Sequence, residues 1–352
     1  MKLRNWIDRV SPLDESVMAA ARERQAQLAK PPGSLGRLED LSVQLAGITG
    51  KVHNSVRKQH LLVFAADNGV VEEGVSQTGQ EVTAVVTENM ARELTSVCRM
   101  ARIAHAEVIP VDIGVAREVR GEKILQKNIR RGTANMTKGP AMTREEAIRG
   151  ILTGFEVAEE AIARGAMLLA TGEMGIGNTT TASAVAAVLL NKPVPEVTGR
   201  GAGLSGEGLK RKVAAIEKAI AVNRPDANDP IDVLAKVGGL DIAGLAGVFL
   251  GGAAHHVPVL IDGAISGAAA LIAARLCPDA QEYMLASHTS DEPCGDLILA
   301  ELGLAPFLKA GMHLGEGTGA VAAMPLLDMA LAVYSEMPTF DEIAIEAYQP
   351  LK

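Results

Sequence analysis

Glu316 lies between two glycines in Gly315-Glu316-Gly317-Thr318-Gly319, where an open backbone lets a carboxylate approach a substrate closely. If partly desolvated, such a carboxylate titrates higher than usual, which suits a general base. The segment GEMGIGNTTTASA (172–184) offers the complementary chemistry. Gly172, Gly175 and Gly177 lead out of an apolar run into a helical pattern, with Asn178 or Thr179 as its cap and Thr179, Thr180 and Thr181 as hydroxyl donors. Unpaired N–H groups and the helix dipole favour an anion there, and a phosphate is the expected one. No GK[ST] follows, so this is not a Walker loop. GAGLSG (201–206) matches GxGxxG literally. However, the preceding VPEVTGR makes a poor strand and no acidic ribose ligand follows, so it does not read as a dinucleotide fingerprint. It reads instead as a second close-approach loop around Gly203, with Lys212 downstream as a positive charge. In SHTSDEP (287–293), Ser287, His288, Thr289 and Ser290 lack the GxSxG elbow of a serine hydrolase. His255 and His256 lack metal-ligand spacing, and neither a metal nor a cofactor is expected.

These residues need a frame. Apolar runs recur at 60–69, 107–114, 166–175, 256–263, 282–290 and, most weakly, 311–319. Helical patterns separate them, among them one opening on Thr143 and Glu146 at capping-box spacing. Strands alternating with helices predict an α/β fold, a mostly parallel sheet flanked by helices. Asp67, Asp112, Glu173, Asp262, Ser290 and Glu316 all fall at or just past the C-terminal ends of the runs, where open α/β sheets bind ligands. Residues 1–28 and 325–352 carry no strand run. They are expected to form a small helical domain beside a large one spanning 29–324.

Composition narrows the function. The 352 residues are 48% hydrophobic and 22% charged, enough for a large core. A net charge of −8, 3% aromatics and no basic stripe argue against a nucleic-acid partner. Cys98, Cys277 and Cys294 are widely spaced with no CxxC pair, which fits a reducing cytoplasm. The start of the sequence carries no apolar signal-peptide core. The longest apolar stretch, 240–276, is interrupted by Asp241, His255, His256 and Asp262, so it is expected to be buried core and not a membrane span.

Taken together, KPPGSLGRLEDLSVQLAGITG (30–50), FAADNGVVEEGVS (64–76), GEMGIGNTTTASA, TGRGAGLSGEGLKRK (198–212), GGLDIAGLAG (238–247), VLIDGAISGAAAL (259–271) and LGEGTGA (314–320) resemble, in the same order, the nicotinate-nucleotide–dimethylbenzimidazole phosphoribosyltransferase family. The resemblance implies a Rossmann-like sheet domain, a small helical domain built from both ends, and a dimer. The implied reaction takes nicotinate mononucleotide as donor and an aromatic lower-ligand base of a cobamide as acceptor. The acceptor attacks C1′ with inversion as nicotinate leaves. Glu316 is the implied general base, accompanied by Glu173 and Asp262. Gly175, Thr179, Gly203, Lys212, Ser290 and Gly315 are implied contacts for phosphate and ribose, together with Gly177 and Asn178, which share the loop of Gly175 and Thr179. Ser76 is implied to face the acceptor.

The departures from the family pattern lie on the acceptor side. Ala66-Asp67-Asn68-Gly69 stands where GDHG is usual, Val85 where a Gln is usual, and Glu292-Pro293-Cys294-Gly295 where Glu-x-Gly-His is usual. An apolar Val85 wall suggests an acceptor that is not strictly a benzimidazole. The resemblance supplies an alternative, phenol or p-cresol, used by a branch of the family that works as a pair of related subunits, with this chain as the catalytic member of such a heterodimer. Other readings are an inactive nucleotide-binding paralogue, a purely structural subunit partnered with an active paralogue, and an NAD-dependent oxidoreductase. The intact Glu316 speaks against the inactive paralogue, and the poor context of GAGLSG against the oxidoreductase.

Overall fold

In the computed structural model, residues 2–348 are described. Six parallel strands form the central sheet: β1 (Gln59–Ala66), β2 (Glu107–Gly114), β3 (Leu125–Gln126), β4 (Leu168–Met174), β5 (Val259–Ile261) and β6 (Met284–Ala286). Their order is β3-β2-β1-β4-β5-β6, so the sheet reverses direction between β1 and β4. That is the doubly wound arrangement in which ligands sit beyond the strand ends near the switch point. Every residue of β1 and β4 is buried, as expected of strands covered on both faces.

The register places Phe64 beside both Val111 and Glu173, which carries Glu173 to the C-terminal edge of the sheet's middle. The single run expected over 282–290 divides at Ser287 into β6 and β7 (His288–Ser290). β7 leaves the main sheet and pairs with β8 (Leu308–Met312) in a separate two-stranded ribbon. The strand expected over 311–319 is therefore β8, ending at Met312, and Leu314 to Gly317 are loop.

The stretch 240–276 is core. Every residue of helix Leu240–Ala254 is buried. It lies against helix Arg144–Ala163, whose Gly154 leaves no room for a Cβ beside the Gly244 backbone. Helix Arg144–Ala163 opens on the expected capping box: Glu146 N–H donates to Thr143 Oγ1 at 3.1 Å, and Thr143 N–H to Glu146 Oε2 at 2.8 Å. Helix Thr318–Glu336 is long and apolar enough to cross a membrane, but more than half of it is buried inside the protein.

The chain ends meet. Leu28 bridges Thr339, and Arg24 donates from Nε to the Tyr334 carbonyl at 3.1 Å. Ala21, Leu28, Val43, Ala46 and Tyr334 share a small apolar cluster that also draws in helix Arg37–Thr49. Helix Thr318–Glu336 passes unbroken through residue 325. Residues 1 and 349–352, parts of the expected helical domain, lie outside the described residues.

Candidate active site

A cavity of about 280 Å³ opens at the C-terminal ends of β4 and β5. Its walls bring together loops that are far apart in sequence. Glu173 and Met174 end β4 and Gly175 to Thr179 follow it, Asp262 to Ser266 follow β5, and Leu314 to Glu316 precede helix Thr318–Glu336. Of the residues singled out in the sequence, Ser76, Glu173, Gly175, Gly177, Asn178, Thr179, Asp262, Ser290, Gly315 and Glu316 all line it.

Glu316 adopts a left-handed backbone, φ 60°, between Gly315 (φ 85°) and Gly317 (φ 87°). A side chain tolerates that conformation poorly, so flanking glycines limit the strain in the turn. Its Oε2 is shut off from water and has no hydrogen-bond partner among the described residues. Burial raises the Glu316 pKa above the usual carboxylate value. The Val97 backbone N–H pulls it down, and the Asp262 charge pushes it up further.

Asp262 holds this turn in place. Its Oδ2 accepts the Gly317 N–H at 3.2 Å and its Oδ1 the Ala320 N–H at 3.0 Å, so the carboxylate caps the positive end of helix Thr318–Glu336. Burial raises its pKa, while His288 and these N–H groups oppose the rise.

Glu173 is buried, and the Asn178 side-chain amide donates to its Oε2. Burial pushes its pKa to about 8. Asn178 opposes this, the Asp241 and Asp262 charges add to it, and the Glu316 backbone N–H opposes it. Glu173 therefore keeps its proton to a higher pH than an ordinary carboxyl, which favours a neutral acid at this position.

Asp241 is a further member that the sequence shows only as an interruption of the apolar stretch 240–276, with no role in the site. It is fully buried at the start of helix Leu240–Ala254, and its Oδ2 accepts from Asn178 Nδ2 at 3.1 Å. Burial raises its pKa to about 6, against the hydrogen bond from Asn178. A carboxylate at the head of an apolar helix gives no local signal of this partnership.

Several expectations need correction. Asn178 does not cap its helix: Gly177 (φ 92°) holds the N-cap position of Asn178–Leu189, without a side-chain cap. The Asn178 amide is committed to the two carboxyl groups instead. Val85 lies on the exposed face of helix Glu81–Ala91, 48% accessible, and the cavity wall there is Val86. Lys212 is completely buried behind the cavity, where Nζ donates to Thr179 Oγ1 at 2.9 Å and to the Gly199 carbonyl at 3.0 Å. Burial lowers its pKa; nearby Glu292 and Cys294 oppose the fall. It ties two loops together from beneath. Gly203 is likewise outside the wall, where Arg200, Gly201, Ala202 and Leu204 stand. The GAGLSG segment follows a short helix, Val194–Val197, and not a strand, and Ser205 caps the next helix, so the dinucleotide reading fails on structure too.

The remaining wall mixes polar and apolar groups. Gly175 to Thr179, Arg200, Gly201 and Ser290 present polar and backbone groups. Val86, Met174, Leu314 and the side chain of Ile176 are apolar. Ser287 is not a nucleophile at the cavity: it is buried, with Oγ donating to the Ile261 carbonyl at 2.6 Å. His255 pairs with Glu159 at 2.7 Å and His256 with the Tyr283 hydroxyl at 3.1 Å, both away from the cavity. Among the described residues, no group of three His, Cys, Asp or Glu is arranged to hold a metal.

A family model described as a phosphoribosyltransferase matches residues 10–345. The nicotinate-nucleotide–dimethylbenzimidazole phosphoribosyltransferase of Clostridium acetobutylicum is 48% identical over the full length of both chains. That of Desulforudis audaxviator is 51% identical over 344 residues, 97% of this chain and 98% of the relative. The crystal structure of CobT from Thermus thermophilus superposes with a TM-score of 0.91 at 43% identity, covering 94% of this chain and 99% of that one.

Proposed function

The chain belongs to the nicotinate-nucleotide–dimethylbenzimidazole phosphoribosyltransferase family, and we propose that it moves the phosphoribosyl group of nicotinate mononucleotide to an aromatic base, releasing nicotinate and the nucleotide that forms the lower ligand of a cobamide. The observation that carries this reading is Glu316, with one carboxyl oxygen buried and unpartnered among the described residues, in the wall of a cavity lined by both polar and apolar groups.

In this reading the donor phosphate lies along Gly175 to Thr179, Gly201 and Ser290. Lys212 supports that wall from behind through Thr179. The flat acceptor lies against Val86, Met174, Ile176 and Leu314, with Ser76 at the same mouth. The pyridinium of the donor is already a cationic leaving group. The enzyme must place the unprotonated ring nitrogen of the acceptor in line with C1′ and accept the proton borne by the other ring nitrogen. Glu316 takes that proton, a contribution of roughly 10²–10⁴-fold. Fixing the reacting atoms supplies much of the rest. Glu173, favoured as a neutral acid, offers a hydrogen bond and leaves the buried negative charge to its neighbours. Val85 lies outside the cavity and gives no support to a phenolic acceptor, so dimethylbenzimidazole is the acceptor of this reading. A dimer in the cytoplasm completes it.

Purified protein given nicotinate mononucleotide with dimethylbenzimidazole or p-cresol tests the assignment by product chromatography. Nicotinate release that depends on the benzimidazole supports it. Turnover of p-cresol alone overturns the acceptor assignment, and no release with either overturns the function.

A further inference from the structure

One side-chain amide at the cavity wall serves two carboxyl groups. Asn178 Nδ2 donates both to Glu173 Oε2 and to Asp241 Oδ2, the latter at 3.1 Å. An amide NH2 has two hydrogens, and each finds one acceptor. With acceptors on both sides, only one orientation of the amide is favourable, the one that presents nitrogen. Asp241 is itself fixed: its Oδ1 accepts the Ile242 N–H at 2.9 Å at the positive end of a fully buried helix. Gly175 leaves the clasp its room, since a Cβ there would stand 2.9 Å from Asp241 Oδ2 and 3.2 Å from Asn178 Nδ2. Glu173 then packs against Gly315, the residue before Glu316.

We propose that Asp241 is a positioning residue for the transfer: by locking the Asn178 amide, it fixes the direction in which the Glu173 carboxyl meets the Gly315–Glu316 turn. The inference rests on the phosphoribosyl-transfer reading and deepens it. Asp241 touches neither cavity nor substrate. It acts on the reaction through Asn178 and Glu173, and through Glu173 on the turn that carries the base.

The charged groups around Glu173 are Asp241 from its helix, Asp262 from the end of β5 with His288 behind it, and Glu316 from the opposing turn. Two substitutions disturb the clasp with opposite signs. Asp241→Asn removes a like charge, so Glu173 ionises more readily. Asn178→Ala removes a donor that favours the Glu173 anion, so Glu173 ionises less readily.

The Glu173 carboxyl is titrated by NMR in protein carrying ¹³C in its glutamate side-chain carboxyls, with Glu173→Gln assigning the signal. Steady-state rates are taken on the same samples with nicotinate mononucleotide and dimethylbenzimidazole. Asp241→Asn is expected to lower the midpoint by roughly one pH unit and Asn178→Ala to raise it by a similar amount. In Asp241→Asn, kcat is expected to fall roughly 10-fold or more while the donor KM changes little, the mark of misplacement and not of lost binding. Unchanged midpoints, or shifts of the same sign in both variants, overturn the proposal while wild-type turnover leaves the functional reading intact. Wild-type protein without turnover overturns that reading, and the midpoints still judge the clasp. A kcat loss in Asp241→Asn with the wild-type midpoint makes Asp241 merely structural and also overturns it. Should Asp241→Asn fail to fold, Asp241→Ser takes its place, with the same lowered midpoint and kcat expected and an unchanged midpoint overturning the proposal.

Discussion

Replacing Glu173 by glutamine should make the protein more stable at alkaline pH, although Glu173 lies in the proposed active site. The wild-type carboxyl is buried, and its pKa is raised from the ordinary 4.5 to about 8. Between those two values the native protein holds a proton that the unfolded chain has released. Each pH unit in that window costs the native state about 1.4 kcal/mol, or about 5 kcal/mol across it. The sign follows from the raised value: full stability is present below pH 4.5 and is lost as pH climbs towards 8. Glutamine keeps the shape of the neutral acid, and its carbonyl can still accept from Asn178, but it has no proton to lose. Wild type and Glu173→Gln should therefore match near pH 4.5 and diverge steadily above it, the variant ahead by several kcal/mol at pH 8. Urea unfolding at half-unit intervals from pH 4.5 to 9 measures the difference, and subtracting the two curves removes what the other buried carboxyl groups contribute equally to both. A flat difference over that range would refute the reasoning, because Glu173 would then titrate alike in the native and unfolded chains.

Other expectations concern turnover. Glu316→Gln should lower kcat by roughly 10²–10⁴-fold with little effect on donor binding, measured by steady-state assay and calorimetry. In wild type, kcat should fall as pH drops through the raised pKa of Glu316, and the pH–rate profile should place that limb above 4.5. Asp262→Asn leaves an amide that cannot accept from both Gly317 and Ala320; unfolding titrations should show a loss of about 1–3 kcal/mol, and kcat should fall with it. Lys212→Met should raise the KM for nicotinate mononucleotide more than it lowers kcat, since Thr179 and the Gly199 carbonyl lose their common donor.

Much of this arrangement is visible in the sequence because strand ends announce themselves. Where an apolar run stops at a glycine or an acid, the chain has reached the edge of a covered sheet, and Glu173 and Asp262 stand out that way. The site residues on glycine-rich turns are legible for a similar reason, since few other sequences can follow such a path. Longer-range packing leaves weaker marks. β3 is two residues long and borrows its hydrogen bonds from β2. Leu308–Met312 alternates too little, with mostly accessible side chains, to look like a strand. Val85 and Val86 are neighbours on one helix, and only the helix's rotation decides which of them meets the cavity. Lys212 resembles a solvated helix lysine by sequence, yet tertiary packing buries it completely. Asp241 acquires its meaning from a residue 63 positions away.

Helix Thr318–Glu336 begins at the Glu316 turn and ends where the two chain ends meet. Its 19 residues make a rod of about 28 Å at 1.5 Å per residue. Pro325 lies one third of the way along and withholds one backbone donor, which makes that turn the natural pivot. A tilt of about 5° about Pro325 would sweep the far end, about 16 Å away, through about 1.4 Å, by the same rise per residue. A tilt of this kind, if filling the cavity produces it, would reach Tyr334 and Arg24, and a fluorophore placed there would test for it by changing its signal on donor binding.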